Sequence, residues 1–133
     1  LGAGIDRMTR RLAAWADTLL VVTTDEPTAI ADAYAVLKLH VRDHWALRQG
    51  AGPEPDVRVV INQAATLSSG ERAFTSLTKA CSTFLGTTPA LCGIIRRDPN
   101  VGEAVRRQTM LAIRHPNTQA LEEVHRVARA LRQ

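Results

Sequence analysis

Four consecutive apolar residues, Leu19-Leu20-Val21-Val22, run into the polar turn Thr23-Thr24-Asp25-Glu26-Pro27. An unbroken apolar run closed by a turn suits a strand covered on both faces, predicted over Leu19 to Thr23. Pro27 fits a first helical turn, where its missing N–H costs nothing, and Asp25 or Thr24 can cap the free amides. Beyond it Ile30, Tyr34, Leu37, Val41 and Trp45 recur at spacings of four, three, four and four. A helix from about Thr28 to Leu47 therefore turns one stripe toward a sheet. Strand, turn and helix together read as a βα unit of a parallel sheet, and such sheets bind ligands at the carboxyl ends of their strands.

The same reading extends along the chain. Gly2-Ala3-Gly4 leads into a helix from about Asp6 to Ala16, with Met8, Leu12 and Trp15 on one face. The Gly- and Pro-containing stretch Gln49 to Pro55 is a loop, and Val57 to Ile61 is a second strand ending at Asn62. Ser68-Ser69-Gly70-Glu71 has the Ser-x-x-Glu pattern of a capping box, followed by a helical stripe of Ala73, Leu77, Ala80, Cys81 and Phe84 that Gly86 stops. Ala90 to Ile95 is a third strand. Asp98 can cap and Pro99 begin a short helix through about Gln108, and a last helix after His115-Pro116-Asn117 carries Leu121, Val124, Ala128 and Leu131 as its apolar face. This order predicts an α/β domain over 1–133, a partial doubly wound parallel sheet of about three strands with flanking helices. Three strands are few for an open sheet. Further strands are expected upstream of Leu1, in a longer chain or another polypeptide.

With 45% hydrophobic and 23% charged residues, disorder is not expected, and only 4% aromatic residues leave the core to Leu, Val, Ile and Ala. Seventeen Lys+Arg against 13 Asp+Glu give a net charge of +4, nearly all of the positive charge being arginine. That balance favours acidic partners such as nucleotide phosphates, anionic lipid or nucleic acid without choosing among them. Cys81 and Cys92 lack metal-type spacing and sit in apolar patterns, which suits reduced core residues of a cytoplasmic protein. No apolar run approaches the length of a transmembrane helix.

Gly2-Ala3-Gly4-Ile5, the Thr23-Thr24-Asp25-Glu26-Pro27-Thr28-Ala29-Ile30 turn, Asp32-Ala33-Tyr34 and Lys38 occur together in order. They resemble the MinD/ParA family of deviant-Walker P-loop ATPases, most closely its flagellar-number regulators. Asn62, Phe84-Leu85-Gly86, Asp98-Pro99-Asn100-Val101 and Glu103 to Gln108 look like the same branch, so the resemblance covers nearly the whole chain. It implies half of a P-loop NTPase fold and an ATP-dependent dimerising switch that regulates flagellar number or placement. It further implies ATP with Mg²⁺ as cofactors, a nucleotide-bound homodimer, flagellar assembly proteins as partners, and a peripheral place at the inner face of the membrane. By the same resemblance Asn62 reads the adenine edge, Arg96, Arg97 and Asp98 border base and ribose, and Gly2, Ala3 and Gly4 form a switch segment at the γ-phosphate. An amide can do the first of these, since it offers a paired donor and acceptor. Asn62 also reads simply as a strand-end turn residue.

The family's Gly-rich phosphate loop, with its lysines and Mg²⁺-binding hydroxyl, is not in this sequence, so no catalytic residue is assigned and the chain alone is expected to be inactive. Where the wider family often has Arg after Asn62, Gln63 stands here. That loss of phosphate-binding groups supports an alternative, a non-enzymatic module that binds a partner or DNA. Other local signals are weaker. His40 and His44, four apart around Asp43, have two-ligand spacing without a third ligand and read as a solvated helix face, so no metal site is assigned. Gly2-Ala3-Gly4 fails as a dinucleotide fingerprint because Arg7 stands at its third glycine. Arg10-Arg11, Arg96-Arg97, Arg106-Arg107 and Arg114 could face DNA, but no aromatic is interleaved to stack bases. The last helix reads as packing on the sheet rather than as a membrane anchor.

Overall fold

A computed structural model describes residues 6–133. Among these the elements are α1 (Arg7–Trp15), β1 (Thr18–Thr23), α2 (Pro27–Leu47), β2 (Asp56–Ala64), α3 (Leu67–Phe84), β3 (Ala90–Arg96), α4 (Pro99–Arg106), α5 (Leu111–Arg114) and α6 (Gln119–Leu131). The three strands form one parallel sheet in the order β1-β2-β3, so the expected α/β class and parallel sheet are found. α5 is a single turn that the sequence pattern did not show.

Alternation along β2 divides the sheet into two faces. Val57, Val59 and Ile61 point to the first, where they form the core with Ala33 and Leu37 of α2 and Leu77 and Cys81 of α3. α2 and α3 thus share that face, as successive right-handed crossovers moving one way across a sheet require. Arg58, Val60 and Asn62 point to the second face, where α6 lies along β3. Gly93 permits this approach, because a Cβ there would sit 2.7 Å from Val127 Cγ2. Arg58 holds the end of α6, donating to the carbonyls of Ala130, Leu131 and Gln133 while Asp56 accepts from its guanidinium. A cation at the carbonyl end of a helix is favoured by the helix dipole. α6 does not reach β1, whose Val22 is 60% exposed. Among the described residues β1 is thus an edge strand with one open face, and there the expectation of cover on both faces fails. This all-parallel layer is consistent with part of a P-loop NTPase-like fold.

Several faces are rotated from those that periodicity suggested. α1 packs on α2 through Ala13 and Ala14, and Arg10 makes a two-point ion pair with Asp43, at 2.9 and 2.7 Å. Met8, Leu12 and Trp15 point outward instead. α6 buries Ala120, Glu123 and Val127, leaving Val124 and Leu131 exposed on its flank. Phe84 is exposed and Phe74 packs against the core in its place. The capping box lies two residues earlier than Ser68-x-x-Glu71: Thr66 Oγ1 accepts from Ser69 N, and Ser69 Oγ accepts from Thr66 N, both at 3.0 Å. Asp98 caps α4 and Gly86 ends α3 with φ +67°, both as expected. Cys81 is buried and free, and burial pushes its thiol pKa up; Cys92 is free and half-buried.

His40 and His44 are buried, not solvated. His44 Nε2 lies 2.8 Å from the Pro53 carbonyl, which can only accept, so that nitrogen carries a proton. Burial, then the neighbouring His44, hold the His40 pKa below its ordinary 6.5. Below that value the unfolded chain takes up a proton that the fold resists, so stability falls as pH drops through it. The urea midpoint is expected to be lower at about pH 5.5 than at about pH 7.5, and His40→Leu should flatten the difference. The depressed carboxylates Asp25, Asp43, Asp56 and Asp98 act only near and below their ordinary 3.8, outside this window.

Candidate functional site

The carboxyl ends of all three strands meet at one end of the sheet, and specific hydrogen bonds tie their loops together. Asp25, just past β1, accepts through Oδ2 from the Ala65 N–H at 3.0 Å and the Ser69 hydroxyl at 2.8 Å. These two bonds, the Ala65 amide first, hold the Asp25 pKa below the ordinary carboxylate value, with the Arg97 charge adding to them. Asp25 therefore fastens the β1–α2 turn to the start of α3 rather than capping α2, whose cap residue Glu26 makes no side-chain bond. Arg97 N donates to Ala64 O at 2.9 Å, which joins the second loop to the third.

β2 does not end at Asn62 as expected but continues to Ala64. Its register to β3 breaks between Ile61 and Ala64, and Gln63 there adopts φ +55°, a left-handed conformation uncommon outside glycine. Such residues concentrate at functional strand ends. Asn62 lies immediately before this bulge, half-buried on the second face. The side-chain bonds at this end run through Asp25, Thr66, Ser69, Arg96 and Asp98, and none among the described residues engages the Asn62 amide.

The other expected site residues divide by their bonds. Arg97 is exposed at the mouth of the site. Arg96 is turned into the fold: its N–H and Nε donate to the two carboxylate oxygens of Glu123, each at 3.1 Å. Asp98 is also fully engaged, Oδ1 accepting from Asn100 N at 2.9 Å and Oδ2 from the Thr118 hydroxyl and from Ala120 N at 3.1 Å. The Thr118 bond is the chief reason its pKa lies below the ordinary carboxylate value. Asp98 thus joins the N-termini of α4 and α6, whereas the Asn62 amide and the Arg97 guanidinium make no side-chain bond among the described residues. Gly2, Ala3 and Gly4 lie outside the described residues. Among the described residues no group of three His, Cys, Asp or Glu side chains is placed to hold a metal ion. No helix described is long and apolar enough to cross a membrane.

No family model matches the chain. It is 36% identical over 105 residues to the antiactivator FleN of Pseudomonas aeruginosa, a match that covers 79% of this chain. The relationship is FleN/MinD-like. It is also partial, since the chain spans 35% of the length of FleN. Neither the Asp25 tether nor the Glu123 partner of Arg96 was read from the sequence. An acidic residue in the turn after a predicted strand was the only signal for the first; the second had none.

Proposed function

We propose that this chain is the adenine-binding and switch half of an ATP-dependent, dimerising regulator of flagellar number or placement. The observation that carries the reading is the Asn62 amide, unpartnered among the described residues and set beside the Gln63 bulge at the carboxyl end of the central strand in a FleN-like chain. A half-buried amide with a free donor and acceptor fits an adenine edge, which presents the N6 amine beside a ring nitrogen. Arg97, exposed at the same end, is placed to face ribose or base, while Arg96 and Asp98 position the loop from behind. Bound ATP with Mg²⁺ supplies the phosphate chemistry of such a switch. The lysines and hydroxyl that hold those phosphates are not among the 133 residues.

The open side of β1 supports the same reading. Its outer edge is unpaired among the described residues and carries no lysine or proline to discourage pairing. Further strands in register there would extend the parallel sheet toward a phosphate-binding half. The test is titration of the polypeptide extended upstream of Leu1 with a fluorescent ATP analogue and Mg²⁺, with its mass in solution followed in parallel. Saturable binding accompanied by dimerisation is expected. An extended polypeptide that carries a phosphate loop yet neither binds nor dimerises would leave the partner-binding module as the correct reading.

A further inference from the structure

We infer that Asp25 is a positioning residue for base recognition, holding the backbone that aims the Asn62 amide; the inference rests on the nucleotide reading above. The ladder from β2 to β1 is in register through Ile61, and the ladder to β3 passes from Ile61 to Ala64, so Asn62 and Gln63 have no registered partner in either described neighbour. Sheet pairing therefore does not fix the direction of the Asn62 side chain. Gln63, at φ +55°, holds a conformation that is costly for a residue with a Cβ and that persists only where its surroundings enforce it.

The enforcing bonds reach the bulge from both sides. From the β3 side, Arg97 N donates to Ala64 O at 2.9 Å. From the β1 side, Asp25 Oδ2 accepts from Ala65 N at 3.0 Å and from the Ser69 hydroxyl at 2.8 Å, while Ser69 N donates to Thr66 Oγ1. Asp25 thus fastens Ala65, Thr66 and Ser69, all just beyond the bulge, to the turn after β1. It makes no bond to Asn62 itself, so its effect on the amide runs through the backbone of residues 63–65. Without this clamp the Arg97 bond alone opposes the strain at Gln63, and the segment relaxes with the amide turned from its line. Aim also sets selectivity. An amide oxygen directed at the adenine N6 amine meets an acceptor, O6, in guanine, so a fixed Asn62 discriminates between the two bases and a loosened one loses that discrimination.

The test compares ATP and GTP affinities in Mg²⁺, by calorimetric titration, for the polypeptide extended upstream of Leu1 and for its Asp25→Ala, Asn62→Ala and double variants, with each unfolding midpoint recorded. Asp25→Ala is expected to raise the Kd for ATP about fivefold or more and to leave that for GTP within about twofold, which reduces the preference for ATP. In the Asn62→Ala background the same substitution should change neither, since no amide is left to aim. Asp25→Asn keeps a carbonyl acceptor for the Ala65 N–H and should retain most of the preference. Ser69→Ala, which leaves the Ala65 bond and removes the other, carries the same test at a smaller perturbation, with a preference between those of the parent and Asp25→Ala. Equal weakening of ATP and GTP, additive losses in the double variant, or the parent's preference in Asp25→Ala beside a weakened Asn62→Ala would overturn the inference and leave the nucleotide reading standing. An Asn62→Ala protein that binds ATP like the parent would overturn both.

Discussion

Leu77→Ala is expected to destabilise the domain by about 3–4 kcal/mol, read from urea denaturation with an unchanged slope. Leu77 is 0% exposed and stands where α3 crosses the first face of the sheet, in one core with Val59, Ile61 and Leu37. Truncation removes the transfer free energy of the side chain and leaves a space that surrounding strands, fixed by their ladder, fill only in part. Leu77→Met keeps most of the volume and should cost less than about 1.5 kcal/mol. A loss for Leu77→Ala below about 1 kcal/mol would mean that this face is not the organising core.

Glu123→Ala is expected to cost about 3 kcal/mol, although it removes no apolar surface. The carboxylate is 3% exposed and is the acceptor for both the main-chain N–H and the Nε of Arg96, 27 residues away in sequence. Alanine leaves a buried amide and a half-covered guanidinium without their partner, and a group left unpaired costs more than its bond contributes when made. Glu123→Gln keeps one carbonyl acceptor and loses the ionic attraction, so it should fall between the parent and alanine. Equal stability of Glu123→Ala and the parent would show that water replaces the carboxylate at no cost.

These two residues also show what could be read from the chain and what could not. Leu77 was legible, since it recurs with Ala73 and Cys81 at helical spacing, and the strands around it announce themselves as apolar runs closed by turns. The order of elements, the parallel sheet, the Asp98 cap and the Gly86 stop follow from such local signals. Glu123 was not legible, because a helical apolar stripe tells which side of a helix is apolar and not which side is covered. In α6 the covered side is set by Gly93 and Arg96 on β3, so the helix buries Ala120, Glu123 and Val127 and leaves Val124 on its flank. α1 is turned the same way by the Arg10–Asp43 pair. The burial of His40 and His44 was misread for a related reason: polar side chains facing the packed side of α2 look solvated until the 49–55 loop folds over them and Pro53 accepts from His44.

At the candidate site the sequence placed the named residues at strand ends but did not show how their side chains are engaged. Asn62, Arg96, Arg97 and Asp98 do gather at the carboxyl ends of β2 and β3, as strand order alone requires. Which of them remain available to a ligand is decided by partners far away in sequence. Glu123 engages Arg96, and Thr118 with Ala120 engages Asp98. That leaves the Asn62 amide, on which the functional reading depends.

The most direct measurement is therefore the ATP affinity of the polypeptide extended upstream of Leu1, compared with its Asn62→Ala variant by calorimetric titration in Mg²⁺. If the amide pairs with adenine, the variant binds about 1–3 kcal/mol more weakly, roughly a five- to hundredfold rise in Kd, with its unfolding midpoint little changed. Equal affinity in a folded variant would contradict the account and leave Asn62 as a strand-end residue with no ligand to read.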